Sequence, residues 1–218
     1  MEPVAALALQ GCLHWPTSIT PAAALDELLS ECGGVGKPGQ RYPCDSSFVA
    51  LALQYMQPVA DQCCPGAKPV RAVLFDKTPE SNWVVPWHQD RTIAVKQRVD
   101  QDGFGPWSIK DGMQHVEPPF ALLSHMVTLR LHLDACDEDN APLKVAIGSH
   151  GRRVAAADAS RLASSSEILT CIAAAGDIWA YATPILHRSD RAAVARRRRV
   201  LQIDFSPDTL PEGMEWLS

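Results

Sequence analysis

The sequence predicts a mainly β protein, a β-barrel or jelly roll braced by helices at its N-terminal end. Three observations carry this. Two stretches before residue 66 have helical spacing of apolar residues. From about residue 69 the texture changes to short β-type runs cut by Pro and Gly. No internal repeat or low-complexity linker divides the chain, so one domain is expected over 1–218, helical over about 1–66 with a β core over about 67–206.

Composition narrows the class. Hydrophobic residues make up 46% of the 218 and charged residues 21%, which permits a sizeable core and argues against wholesale disorder. The formal net charge of −5 argues against a general nucleic-acid binder. Seven cysteines, an odd number with no C-x-x-C pair, read as reduced thiols rather than a zinc ribbon or disulfide framework. The start Met1-Glu2-Pro3-Val4 lacks a basic signal-like region, and no apolar run is long enough to span a bilayer. The expectation is a soluble, cytoplasmic protein without a membrane or nucleic-acid partner, its oligomeric state open.

The first helix is expected over 20–33, with Thr20 as N-cap and Pro21 at the first helical position. Leu25, Leu28, Leu29 and Cys32 form its apolar stripe, and Gly33-Gly34 stops it. Gly33 to Pro43 reads as a loop. A second helix should begin at Asp45 or Ser46, carry Phe48, Leu51, Ala52, Tyr55 and Met56 on one stripe, and end near Pro58 or shortly after. Strands are expected at Val70–Phe75, Trp83–Asp90 and Thr92–Val99, then at Leu143–Ile147, Ile168–Ala173, Asp177–Tyr181 and Val200–Phe205. Residues 100–118 read as a long surface excursion, and the Gly103-x-Gly105 within it lacks the third glycine and the helix of a dinucleotide loop.

Met126–Asp134 is the most informative strand. Val127, Leu129, Leu131 and Leu133 share one face, while Thr128, Arg130, His132 and Asp134 share the other. That polar face meets either solvent or a polar cavity, and the pattern alone favours solvent.

Chemistry is suggested first by Trp87-His88-Gln89-Asp90. Side chains two apart on a strand point the same way, so His88 and Asp90 can present an imidazole and a carboxylate side by side. A second imidazole would complete a two-His, one-carboxylate facial set, which leaves adjacent positions open on an octahedral metal and suits non-haem Fe(II). Among the other histidines, His14 has no polar company in the sequence and reads as a surface or packing residue. His150, in Gly148-Ser149-His150, competes with His187 for the third position. Beyond His187 lie Ser189 and the run Arg196-Arg197-Arg198-Arg199. An arginine fork pairs with a carboxylate through two parallel hydrogen bonds, and on a strand alternate arginines face opposite ways, so at least one can point inward.

Together these motifs resemble the phytanoyl-CoA dioxygenase-like Fe(II)/2-oxoglutarate oxygenases over roughly residues 70–206. The resemblance rests on His88-x-Asp90, the Gly148-Ser149-His150 turn, Gly176-Asp177 leading to His187, and Arg198, 198 − 187 = 11 residues further on. Leu131-His132-Leu133-Asp134 through Asn140-Ala141-Pro142-Leu143 adds to it, with Ala141 where glycine is common. It implies a double-stranded β-helix of the cupin-like kind. It implies His88, Asp90 and His187 as iron ligands, and Arg198, with Ser189 and Thr128, holding the distal carboxylate of 2-oxoglutarate. Thr128, Arg130 and His132 would then face the interior, and Gln89 is a further candidate contact to the co-substrate. Arg197 and Arg199 are the fallbacks for Arg198. Halogenating relatives lack the carboxylate, so Asp90 favours hydroxylation of a small-molecule substrate by O₂, with Lys96, Arg98 and Lys110 as possible cationic lid residues. The rival classes are a cupin-like metal enzyme without 2-oxoglutarate, a non-catalytic binding protein, and a nucleic-acid binder using Arg196–Arg199.

Overall fold

The computed structural model describes residues 2–16, 20–32, 39–194 and 196–217. Its frame is a six-stranded antiparallel sheet facing a four-stranded one, without closing into a barrel. The larger sheet runs in the order β1 (Cys12–Trp15), β11 (Ile178–Ala182), β8 (Val127–His132), β13 (Arg198–Ser206), β3 (Lys68–Lys77) and β2 (Gly39–Tyr42). The smaller runs β10 (Ile168–Cys171), β9 (Leu143–Ala146), β12 (His187–Ser189), β4 (Val85–His88). The mainly β, cupin-like expectation therefore stands.

Alternation along the large sheet separates two environments. Leu201, Ile203 and Phe205 of β13, Leu129 and Leu131 of β8, and Ala72 and Leu74 of β3 face outward onto helices. Those helices are α1 (Pro3–Gln10), α2 (Ala22–Glu31) and α3 (Ser47–Cys63), which supply Leu7, Leu28, Phe48, Val49, Met56 and Val59 to the same core. The inward residues of these strands are polar or charged to an unusual degree, and they line the space between the sheets.

Several local expectations need correction. Helix α2 starts at Ala22 with Pro21 at its cap and no side-chain capping bond, so Thr20 is not the cap. The predicted stop at Gly33-Gly34 lies outside the described residues. Helix α3 begins as expected, Ser46 accepting from the Val49 N–H, but runs through Pro58 to Cys63. Pro58 and Gln54, whose carbonyl loses its partner, are both exposed, while Val59, Ala60 and Cys63 are buried, so packing outweighs the missing hydrogen bond. Within the predicted 33–43 loop, residues 39–42 form the edge strand β2.

The 100–118 excursion is also more regular than expected. It holds a hairpin of β6 (Trp107–Lys110) and β7 (Met113–Val116), which joins β5 (Ile93–Val95) in a three-stranded sheet. Two short helices, α4 (Phe120–His125) and α5 (Ala159–Ser164), complete the chain. No helix among the described residues is long and apolar enough to cross a membrane.

Candidate metal centre and anion pocket

His88 ends β4, Asp90 follows two residues beyond it, and His187 opens β12. Antiparallel pairing places His187 directly opposite His88. One ligand atom from each of the three lies within 4.8 Å of the others, and this is the metal-capable cluster found among the described residues. His88 and Asp90 are brought together although Asp90 lies past the end of the strand.

Both imidazoles are held in the orientation a metal needs. His88 Nδ1 sits 2.9 Å from the Pro86 carbonyl, and His187 Nδ1 2.9 Å from the Ile185 carbonyl. A carbonyl only accepts, so each Nδ1 carries the proton and each Nε2 is left with a lone pair. Burial, reinforced by the neighbouring His88, pushes His187 down to about 4, which keeps it neutral. For Asp90 burial alone would raise the carboxyl, but Arg71 first, then His187 and His88, outweigh it and hold it below the usual range. The donor set, two neutral imidazoles and one carboxylate, fits non-haem iron with open positions.

The triad opens into a cavity of about 330 Å³. Its charged lining is lopsided: Arg41, Arg71, Lys77, Arg130, Arg188 and Arg198 against the single carboxylate of Asp90. Arg71 is paired with Asp204 at 2.6 Å and lies 3.6 Å from Asp90, Arg41 with Asp111 of the β6–β7 turn, and Arg188 with Asp190 at 3.4 Å. Lys77, Arg130 and Arg198 have no carboxylate within 4.0 Å among the described residues, although only 3%, 8% and 3% of each is exposed. Buried cations without counter-ions are costly, so a site that keeps three is built to receive anions.

The far end is formed by Arg198, Ser189 and Lys77. Strand alternation sends Arg197 outward to Asp76, through bonds of 3.2 and 3.0 Å, and Arg199 outward to Asp134 at 2.8 and 2.7 Å. Only Arg198 of the run lines the cavity, its Nη1 donating to the carbonyls of Asn140 and Ala141. Ser189 Oγ donates to the Ala141 carbonyl at 3.1 Å and accepts from Lys77 Nζ at 3.1 Å. Lys77 was not anticipated. Burial, then the charges of Arg198 and Arg130, push it down to about 8. Its signal was present: Arg71, Val73, Phe75 and Lys77 share one face of a strand whose other face carries Val70, Ala72 and Leu74 before Asp76.

Other anticipated residues lie elsewhere. Thr128 is fully buried, bonded to Thr183 at 3.0 Å and Asp204 at 3.0 Å, and does not line the cavity. The Gln89 amide turns away, donating to the Arg152 and Pro184 carbonyls and accepting from the Val154 N–H. His150 Nε2 meets the Ala8 carbonyl at 3.1 Å, outside the triad. His14, expected without polar company, pairs with Asp177 at 2.8 Å and stacks on Trp179. Lys96 and Arg98 form surface pairs with Glu215 and Asp100, and Lys110 reaches Thr92; none lines the cavity. The polar face of β8 is buried, as the resemblance implied and against the pattern alone.

The sequence profile of the family described as phytanoyl-CoA dioxygenase matches residues 22–200. No curated protein matches the sequence. Among solved structures, the chain is similar to the non-heme α-ketoglutarate-dependent carbocyclase SnoK from nogalamycin biosynthesis, at 16% identity and TM-score 0.64, over 94% of this chain and 83% of that one. HygX from Streptomyces hygroscopicus, solved with nickel and 2-oxoglutarate, gives 16% identity and TM-score 0.64 over 97% and 88%. The epimerase SnoN, in complex with Fe3+, α-ketoglutarate and nogalamycin RO, gives 13% and 0.68 over 97% and 90%. At these identities the likeness establishes the fold.

Proposed function

Because the chain belongs to the phytanoyl-CoA dioxygenase family, whose enzymes depend on iron and 2-oxoglutarate, we propose that it is an Fe(II)- and 2-oxoglutarate-dependent dioxygenase acting on a small molecule. The reaction is hydroxylation. One oxygen atom of O₂ enters a substrate C–H bond, the other enters succinate, and the third product is CO₂. The observation that carries this reading is the triad of His88, Asp90 and His187, with both Nε2 lone pairs free and three open positions implied by a facial set.

His88, Asp90 and His187 hold the metal, which when bound supplies the oxidising power for C–H cleavage. The chain's own contribution is placement. The carbonyls of Pro86 and Ile185 fix the two rings, and Arg71 keeps Asp90 ionised and oriented. Arg198 and Ser189 receive the distal carboxylate of 2-oxoglutarate, and Lys77 adds a second cation to that end. The walls of Val73, Phe75, Val85 and Leu143 keep the cavity apolar between its charged ends.

The test is an anaerobic titration of the apoprotein with Fe(II) and then 2-oxoglutarate, followed by the weak visible charge-transfer band of the chelate. The band is expected in the wild type and absent in His187→Ala. In Arg198→Ala it should require about 10- to 100-fold more 2-oxoglutarate, the loss of a charged hydrogen-bonded pair. A folded, iron-replete wild type that develops no band would overturn the proposal.

A further inference from the structure

Of the cavity cations that the scheme above leaves unused, Arg41 and Arg188 are paired with carboxylates and Arg130 is not. It projects inward from β8, is 8% exposed, and has no carboxylate within 4.0 Å among the described residues. It is held firmly all the same. Nη1 donates to Gln202 Oε1 at 2.9 Å, and the guanidinium lies 5.4 Å from the centroid of the Phe75 ring. The same Gln202 oxygen accepts from Tyr181 Oη at 3.3 Å, and the Tyr181 ring lies 5.5 Å from that of His187. A short chain of contacts therefore joins Arg130 to a metal-binding imidazole.

Its height in the sheet is set by register. Along β13, Arg198 stands opposite Lys77, and Asp204 stands opposite Arg71, which approaches Asp90. Gln202, directly opposite Arg130 on β8, is four residues from Arg198 and two from Asp204. At about 3.3 Å per residue its backbone is roughly 13 Å from that of Arg198, twice its distance from the Asp204 level. Arg130 is thus rooted nearer the metal end than the Lys77–Arg198 end. A preoriented, desolvated guanidinium fork at that height lacks only a planar anion to complete its hydrogen bonds.

We infer that Arg130, buttressed by Gln202, binds the metal-proximal carboxylate of the co-substrate, so that the cavity grips the diacid by a cation at each end. The inference rests on the proposed function and specifies how that site selects its co-substrate. Arg130 is a binding residue in this scheme, and Gln202 a positioning residue that acts through it. An α-keto acid or oxalate satisfies the Arg130 end. A molecule lacking a carboxylate beside the chelating oxygen leaves the guanidinium buried and unpaired.

The experiment separates the two ends. Mn(II)-loaded protein, which is redox-silent, is titrated calorimetrically with 2-oxoglutarate and with oxalate, which carries the metal-proximal carboxylate but no distal one. Wild type, Arg130→Gln, Arg130→Lys, Gln202→Leu and Arg198→Gln are compared after their melting curves establish that each is folded. Arg130→Gln should weaken both ligands about 10- to 100-fold, and Arg198→Gln should weaken 2-oxoglutarate alone. Arg130→Lys, which keeps the charge but not the fork, should recover part of the loss. Gln202→Leu should weaken both ligands less than Arg130→Gln does. If Arg130→Gln fails to fold, the Arg130→Lys and Gln202→Leu pair carries the test by the same comparison.

Unchanged oxalate affinity in the Arg130 or Gln202 variants, with wild-type binding intact, overturns this inference alone. Loss of 2-oxoglutarate but not oxalate would place Arg130 at the distal end and overturns it as well. Failure of the wild type to bind 2-oxoglutarate overturns the functional proposal and this inference together.

Discussion

Lys77 is charged only within a limited range. Its ammonium is buried against Trp83, Ser189 and Asp190 and meets the field of Arg198 and Arg130, which lowers it from the ordinary lysine value to about 8. Below pH 8 it is a cation and contributes to anion binding; above, it is neutral and does not. The affinity for 2-oxoglutarate should therefore fall between pH 7 and pH 9 in the wild type. Lys77→Arg, which does not titrate there, should flatten that slope, a difference that calorimetry at several pH values would read. The sign for stability is opposite. Between about 8 and the unfolded value of roughly 10.4 the unfolded chain binds the extra proton, so this residue's contribution to stability rises with pH. Ala141 is a second residue with a measurable cost. Its φ of +54° places it in the left-handed region, and its carbonyl is needed there by Ser189 and Arg198. Ala141→Gly should raise stability by about 1 kcal/mol, read as an upward shift in Tm, with the anion site intact.

At the scale of elements, the question is how the short strand β4 delivers His88 and Asp90 with so little ladder of its own. Gln89, between them, supplies the anchorage. Its amide makes three hydrogen bonds to the chain at Arg152, Val154 and Pro184, the last lying three residues before His187. The residue first considered as a co-substrate contact is instead the tie that fixes the far side of the metal loop. Gln89→Ala strips two carbonyls and one N–H of their partner, so it should destabilise the fold by about 2–4 kcal/mol. It should also weaken Mn(II) binding, since Asp90 loses its fixed position. Wild-type metal affinity in a destabilised Gln89→Ala protein would show that the tie is structural only. The β6–β7 hairpin illustrates the same dependence on context. Its strands of four residues carry no strong alternation, but pairing with β5 buries His115 and Val116 and turns an apparent loop into a sheet.

Across the whole molecule, the large sheet works as a partition. Its outer face rests on the helices through Leu129, Leu131, Leu201, Ile203 and Phe205, and its inner face carries the cations. Stability and binding are thereby assigned to opposite sides of the same strands. Leu129→Ala should cost about 2–5 kcal/mol while leaving metal affinity of the folded protein unchanged. The cation-rich cavity has the converse property, because its uncompensated charge destabilises the apo form. Mn(II) followed by 2-oxoglutarate should raise Tm in two steps, each worth about 2.7 kcal/mol at a hundredfold excess over Kd. Absence of the second step would argue against a diacid co-substrate.

The sequence by itself determined the mainly β class, the two principal N-terminal helices and most of the strands, and, read through the family resemblance, it picked out His88, Asp90 and His187, which the structure brings together. Those features depend on local periodicity or on motif spacing, which survive being read in one dimension. Helix α1 was not anticipated, although Pro3 stands at its start and Gly11 at its end. Alternation alone could not decide which way the polar face of β8 turned, since a buried polar face and a solvated one have the same pattern; the resemblance implied burial, and the tertiary structure shows it. For Arg198, which spacing and the resemblance had already singled out of four consecutive arginines, the tertiary structure supplies the physical reason: Asp76 and Asp134 stand across the sheet and take up Arg197 and Arg199. It also brought Lys77 and Arg130 to the cavity from strands 53 residues apart (130 − 77), a proximity that strand pairing creates and local sequence does not encode.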